Sequence, residues 1–150
     1  MALKPNVQAP DFSLNSTNGK KFQLSKSMAG RPVLIYFYPK DFTPACTKEA
    51  CSFRDNFEFF KELDITIVGI STDTTQQHKL FKKKHNLPFE LLSDVTGKVS
   101  KLYKAHVPVL NISKRVTYLL DKDHVVRAAY ADLFSAEKHI TNMIKSLKKG

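Results

Sequence analysis

The stretch from Val33 to Cys46, VLIYFYPKDFTPAC, is the most informative part of this chain. Its six aliphatic and aromatic residues at 33–38 predict a buried strand. Pro39 ends that strand, and Pro44 suits the first turn of a helix, where a missing N–H group is tolerated. Cys46 is therefore expected in the first helical turn, where free N–H groups and the helix dipole favour an anion. A thiol held at such a position can become a reactive thiolate.

The rest of the pattern predicts a single α/β domain over residues 1–150, with a mixed sheet and helices on both of its faces. A chain of 150 residues with 42% hydrophobic content can bury one substantial core. The strand at 33–38, a long helix and a second buried strand should form a right-handed crossover with parallel strands. The predicted elements are an N-terminal hairpin (11–14 and 21–24), a helix at 44–63, a strand at 65–71, an Asp73-capped helix ending near His85, a short segment at 89–92, an Asp94-capped helix near 96–104, a loop at 107–111, strands at 115–120 and 125–131, and a last helix from about Ser135.

The formal net charge of +10 is large for this length and permits contact with nucleic acid or acidic surfaces. The lysine run at 82–84 and the lysines within 145–149 carry much of the local excess. These lysines are spread along predicted helices, and no aromatic residues alternate with them to stack on bases. We therefore expect solvated helix faces, and nucleic-acid binding is kept only as an alternative function.

Composition also argues against membrane and metal-binding classes. No apolar run approaches the ~20 residues needed to cross a bilayer, and the first residues do not resemble a signal peptide. We expect a cytoplasmic protein, with organellar or nuclear location left open. Two cysteines make no disulfide framework, and no histidine lies beside them at ligand spacing. No metal and no other cofactor is expected.

The pattern Pro39-x-x-x-Thr43-x-x-Cys46, followed by Glu49 and Cys51, resembles the active-site signature of the peroxiredoxins, and most closely that of the bacterioferritin-comigratory-protein or PrxQ type. Other matching stretches are Ala9-Pro10-Asp11-Phe12, Val68-Gly69-Ile70-Ser71 and Arg115-Val116-Thr117-Tyr118-Leu119-Leu120-Asp121. The resemblance implies a thioredoxin-like fold and thiol-dependent reduction of hydrogen peroxide and organic hydroperoxides, without metal or flavin. Residues 107–114 lack the glycine often found in relatives, and residues 121–124 replace a common Asp-Gly turn; both departures concern loop shape.

The resemblance also assigns roles. Cys46 would be the peroxidatic nucleophile, which attacks a peroxide oxygen and becomes a sulfenic acid; a buried core cysteine is the alternative. Thr43 would bridge thiolate and peroxide, unless its hydroxyl only caps the helix or closes the turn. Arg115 would hold the thiolate and a peroxide oxygen, unless it is a solvated charge at a strand end. Pro39 would shape the pocket. Glu49 would orient an arginine or the helix start, with an exposed helix glutamate as the alternative.

Cys51 would be the resolving cysteine. Five residues along an α-helix separate the two Cα atoms by about 8–9 Å, which exceeds the ~7 Å limit for a disulfide. We therefore expect local unwinding around residues 45–54 when a Cys46–Cys51 disulfide forms. Thioredoxin or a similar dithiol would then reduce it. A static structural disulfide is the alternative, and helix geometry speaks against it.

A thioredoxin-like disulfide oxidoreductase or redox relay is the competing enzyme class. Such proteins usually pair cysteines as C-x-x-C, whereas the spacing here is C-x-x-x-x-C. Relatives of the PrxQ type are often monomers, so a monomer is expected.

Overall fold

A computed structural model describes residues 2–130, so the helix predicted from Ser135 lies outside the described residues. Nine strands and five helices follow one another along this part of the chain. They are β1 Ser13–Ser16, β2 Lys21–Gln23, α1 Leu24–Ser27, β3 Val33–Phe37, α2 Pro44–Asp55, α3 Phe57–Glu62, β4 Thr66–Ser71, α4 Thr75–His85, β5 Glu90–Ser93, α5 Lys98–Leu102, β6 His106–Val107, β7 Ile112–Ser113, β8 Val116–Leu120 and β9 Val126–Tyr130.

Seven strands form one mixed sheet in the order β2-β1-β5-β4-β3-β8-β9. The pairs β3–β4 and β4–β5 are parallel. The pairs β1–β2, β1–β5, β3–β8 and β8–β9 are antiparallel. The hairpin, the parallel crossover and the mixed sheet are thereby confirmed. None of the helices within residues 2–130 is long and apolar enough to cross a membrane.

β3 is buried at all five positions because both faces of the sheet are covered. Val33, Ile35 and Phe37 belong to one hydrophobic core, and Leu34 and Tyr36 belong to the other, as alternation along a strand requires. The continuous apolar run at 33–38 therefore fills two cores at once. The second core also holds the apolar face of α2, which fixes this helix against the sheet.

The close pairing of β3 with β4 depends on Gly69. Gly69 lies opposite Tyr36, and a Cβ atom there would come within 2.7 Å of the Tyr36 ring. Any side chain at this position would displace a fully buried ring in the core beneath α2.

The single helix predicted at 44–63 is wrong, because the structure divides it at Asn56 into α2 and α3. Both the side-chain Nδ2 and the backbone N–H of Asn56 donate to the carbonyl of Ser52, at 2.8 and 3.1 Å. An asparagine side chain that engages a carbonyl of the last turn competes with continuation of the helix. Phe59 N–H then donates to the Asn56 carbonyl and starts α3.

Smaller differences concern helix ends and loops. α4 is capped by Thr74, whose hydroxyl accepts from Gln77 N–H, and not by Asp73 as predicted. The N-cap residue of α5 is Gly97 and not Asp94 as predicted, and α5 is shorter than expected. The Asp94 carboxylate nevertheless accepts from the N–H groups of Val99 and Ser100 in the first turn. The loop at 107–111 is the tip of a two-stranded antiparallel sheet formed by β6 and β7.

Candidate active site

Sheet register brings the predicted site residues to one edge. β3 and β8 are antiparallel with Phe37 opposite Val116, so Arg115 lies just before β8 and beside the end of β3. The turn after β3 leads directly into α2, whose first residue is Pro44. Arg115, although distant in sequence, therefore lies next to the first turn of α2, which carries Cys46.

Cys46 is the third residue of α2 and is only 2% exposed. The predicted position in the first helical turn is therefore confirmed. Its side chain also packs in the core with Ala50 and Phe53. The Sγ atom accepts a hydrogen bond from Arg115 Nη2 at 3.4 Å. A guanidinium beside the sulfur stabilises a thiolate through a charge-assisted hydrogen bond, and a cysteine that only fills the core gains nothing from this partner.

A buried carboxylate holds Arg115 in place. Arg115 Nη1 donates to Glu49 Oε1 at 2.6 Å, and the Glu49 side chain is 1% exposed. Glu49 is therefore not an exposed helix glutamate. Its burial raises its pKa to about 7, although Arg115 offsets part of that effect. Burial opposes the charge on Arg115, but Glu49 and Cys46 outweigh this and raise the pKa of the guanidinium.

The Thr43 and Pro39 side chains lie in the turn between β3 and α2. Thr43 occupies the N-cap position, yet its hydroxyl does not cap the helix; it donates to the carbonyl of Lys40 at 2.8 Å. Pro39 follows the buried Tyr38 and is half-buried. Direct contacts therefore join Cys46, Arg115 and Glu49, while Thr43 and Pro39 contribute to the turn beside them.

A buried polar cluster in the same turn is not evident from the sequence. Tyr38 OH donates to Asp41 Oδ1 at 2.5 Å, and His78 Nδ1 lies 2.6 Å from Asp41 Oδ2. His78 Nε2 lies 3.0 Å from the carbonyl of Leu92, so this nitrogen donates. Asp41 N–H donates to Asp73 Oδ2 at 2.8 Å. These bonds tie the turn that precedes Cys46 to α4 and to the end of β5.

Asp41, Asp73 and His78 also bring potential metal-ligating atoms within 4.8 Å of one another. Each of them is engaged in hydrogen bonds, including the 2.5 Å bond from Ser71 Oγ to Asp73 Oδ2. Hydrogen bonding accounts for this arrangement, and we assign it a structural role in fixing the turn. Sequence reasoning had no signal for it beyond the position of Asp41 beside the motif.

Cys51 also lies in α2, one and a half turns beyond Cys46, and is half-buried. Both cysteines are free thiols. The helix is continuous between them, so the geometric obstacle to a disulfide applies to this conformation. Cys51 Sγ lies 3.9 Å from His85 Nδ1, at the end of α4.

Comparison with known proteins agrees with this geometry. The AhpC/TSA family model matches residues 5–129. Peroxiredoxin Q of Oryza sativa subsp. japonica, named chloroplastic, is 47% identical over 141 residues, which are 93% of this chain and 64% of the rice protein. Peroxiredoxin Q of Sedum lineare, also chloroplastic, is 46% identical over 140 residues, 93% of this chain and 75% of the relative. This chain thus spans just under two thirds of the rice protein.

Solved structures give the same result. The crystal structure of peroxidoxin BcpB from Mycobacterium tuberculosis matches with a TM-score of 0.90 and 33% identity, and covers 98% of this chain and 97% of that one. The bacterioferritin comigratory protein of Xanthomonas campestris matches with a TM-score of 0.86 and 26% identity, over 97% and 98% of the two chains. The thioredoxin-like fold is confirmed, and the chain belongs to the AhpC/TSA family, as a peroxiredoxin of the Q or bacterioferritin-comigratory-protein type.

Proposed function

We propose that this protein is a thiol-dependent peroxidase that reduces hydrogen peroxide and organic hydroperoxides at Cys46. The observation that carries the proposal is the 3.4 Å contact from Arg115 to the Cys46 sulfur, with Glu49 holding the guanidinium from behind. Family membership supports the same chemistry, and alkyl peroxide reduction activity is known for the Xanthomonas protein.

In the first step, the Cys46 thiolate attacks the terminal oxygen of the peroxide. Water or an alcohol leaves, and Cys46 becomes a sulfenic acid. An ordinary thiol is already a few per cent ionised at neutral pH, so full ionisation accelerates the reaction only by roughly one to two orders of magnitude. The remaining acceleration must come from orientation of the peroxide and stabilisation of the departing oxygen. Arg115 is suited to both tasks, and Thr43 to positioning the peroxide from the turn.

In the second step, the Cys51 thiolate attacks the sulfenic acid and forms a Cys46–Cys51 disulfide. α2 must unwind around residues 45–54 for the sulfur atoms to meet. The break at Asn56 supports such a local change, because α3 is hydrogen-bonded as a separate helix. Thioredoxin or a similar dithiol would reduce the disulfide and return the enzyme to its starting state.

The working unit in this proposal is one domain, residues 1–150, acting as a monomer without metal or flavin. The rice and Sedum relatives are named chloroplastic, which supports an organellar location for a protein of this type. The expected cytoplasmic location stays a prediction.

The test is peroxide consumption by wild type, Cys46→Ser and Cys51→Ser in the presence of thioredoxin and thioredoxin reductase. We expect Cys46→Ser to be inactive and Cys51→Ser to stop at the sulfenic acid after one turnover. Undiminished turnover by Cys46→Ser would refute the peroxidase proposal. Full thioredoxin-dependent turnover by Cys51→Ser would refute only the intramolecular second step.

A further inference from the structure

A second group of reactive and charged side chains surrounds Cys51, apart from the Cys46–Arg115–Glu49 site. His85 Nδ1 lies 3.9 Å from the Cys51 sulfur. Arg54, one turn further along α2, donates through Nη1 to the backbone carbonyl of His85 at 2.7 Å and through Nε to Asp55 at 3.0 Å. These bonds join the end of α4 to α2 at the second thiol.

We propose that His85 is the general base that takes the proton from Cys51 in the disulfide-forming step, an assignment that rests on the proposed peroxidase function. The mechanism described above leaves this proton without an acceptor. The structure places the imidazole of His85 against the Cys51 sulfur, with Nδ1 facing it. The thiolate is the nucleophile in disulfide formation, so an acceptor beside the Cys51 sulfur would raise the rate of this step.

The surroundings of His85 keep its ring able to accept a proton. Its ring packs on Phe81 and Phe42, with ring centroids 5.0 and 6.5 Å away. The charged groups facing it are Lys84 on its own helix and Arg54 from α2, both cations. Desolvation, together with Lys84 and Arg54, lowers the pKa of His85, so the imidazole is neutral at pH 7. The acceptor must be Nδ1, with the ring proton on Nε2.

The step balances with groups already present. The S–H bond of Cys51 breaks and its proton moves to His85 Nδ1. The Cys51 thiolate attacks the Cys46 sulfenic sulfur, the S–S bond forms, and the S–O bond breaks. Hydroxide leaves and takes up a proton, and His85 returns its proton to solvent, so one water is released in total. Cys51 is oxidised and Cys46 is reduced by the same amount. Arg54 is a cation close to both groups, so it attracts the Cys51 thiolate and opposes the charge on the imidazolium of His85, which then gives up its proton readily.

His85→Phe and His85→Asn separate the base from the packing. Phenylalanine keeps a ring against Phe42 and Phe81 but accepts no proton, whereas asparagine keeps a polar group near the sulfur and does not titrate. His106→Asn, on the separate two-stranded sheet, is the matched control. The reaction is a single turnover with hydrogen peroxide, quenched at intervals. Mass spectrometry counts the sulfenic acid and the disulfide, which suits a chain without tryptophan.

We expect disulfide formation at pH 7 to be severalfold faster in wild type and His106→Asn than in both His85 variants, because His85 takes up the Cys51 proton as the S–S bond forms. In both His85 variants the rate should rise more steeply with pH than in wild type, because the proton must then go to hydroxide or buffer. Sulfenic acid formation at Cys46 should be unchanged. Identical pH profiles in wild type and both variants, or faster disulfide formation in His85→Phe, would overturn the assignment.

A second measurement does not depend on peroxidase activity. In a Cys46→Ser background Cys51 is the sole thiol, and its alkylation by iodoacetamide can be followed as a function of pH. We expect His85→Phe to slow alkylation at pH 7 severalfold and to steepen its rise with pH. An unchanged alkylation profile refutes the role of His85 even if peroxide turnover is normal. A changed profile without any sulfenic acid at Cys46 in the unmodified chain would instead refute the proposed function.

Discussion

The buried carboxylate of Glu49 makes a quantitative prediction about stability. Its pKa of about 7 in the folded protein compares with 4.5 for an ordinary glutamate. The folded state therefore binds a proton more tightly than the unfolded chain between these two values. By linkage, the free energy of unfolding falls as pH rises through this window, and the ionised carboxylate costs about 3 kcal/mol above pH 7. Most of this fall, about 2–3 kcal/mol, lies between pH 5 and pH 8.

Glu49→Gln removes the titration while it keeps an oxygen that can accept from Arg115. The absolute stability of the variant depends on how its amide is accommodated, because Glu49 Oε2 has no hydrogen-bond partner among residues 2–130. The change with pH in the difference between the unfolding free energies of variant and wild type therefore reports the ionisation of Glu49. We expect the variant to gain about 2–3 kcal/mol in free energy of unfolding relative to wild type on going from pH 5 to pH 8.

The assay is urea unfolding followed by far-ultraviolet circular dichroism at intervals from pH 5 to pH 8. Glu58→Gln on the exposed face of α3 is the matched control, and its difference from wild type should stay nearly constant. A Glu49→Gln difference that is also independent of pH would refute the reasoning. It would mean that Arg115 compensates the burial of Glu49 fully and that the carboxylate stays ionised throughout.

Two further substitutions test the contacts around Cys46. Arg115→Met should slow sulfenic acid formation about 100-fold in a stopped-flow peroxide reaction, because it removes a charged donor from the reacting sulfur. A decrease of less than threefold would contradict the role of Arg115 in this step. Asp41→Asn should lower the free energy of unfolding by about 2 kcal/mol in urea titrations, because it replaces one of the two buried oxygens that contact Tyr38 and His78 and so disturbs these hydrogen bonds. The exposed Asp123→Asn should have little effect, and equal values for the two variants would exclude a stabilising role for the buried bonds.

The parts of the structure that sequence predicts well depend on local signals. The apolar run at 33–38 predicts β3, and the prolines at 39 and 44 locate the turn and the start of α2. Cys46 therefore falls in the first helical turn as expected. The predicted helix at 44–63 fails for a local reason as well, because helical periodicity of apolar residues continues across the break that Asn56 makes.

The features that sequence misses depend on contacts between distant segments. Glu49 is buried against Arg115, which lies 66 positions later, and Asp41 is hydrogen-bonded to His78 of α4. The structure also explains how residues 121–124 form a turn without the glycine that is common in relatives. His124 takes the left-handed backbone conformation with φ 62°, where glycine is common. Two contacts of His124 stabilise this turn. Its backbone N–H donates to the Asp121 carbonyl, and its Nε2 lies 2.8 Å from the Met28 carbonyl.

The energetic cost of opening α2 connects these contacts to the speed of the second step. Phe53 is fully buried and packs on Tyr36, with ring centroids 4.7 Å apart. Unwinding that exposed Phe53 would cost about 2–3 kcal/mol from this side chain alone, which would hold the open form near 1% of the population. Disulfide formation would then run at about a hundredth of its intrinsic rate. Unwinding around residues 45–54 that leaves the Phe53 ring in place would avoid this cost, because Cys51 is already half-buried and lies at the less apolar side of the helix. We therefore expect the Phe53 side chain to remain in the core throughout the cycle, while the backbone that carries the two cysteines opens.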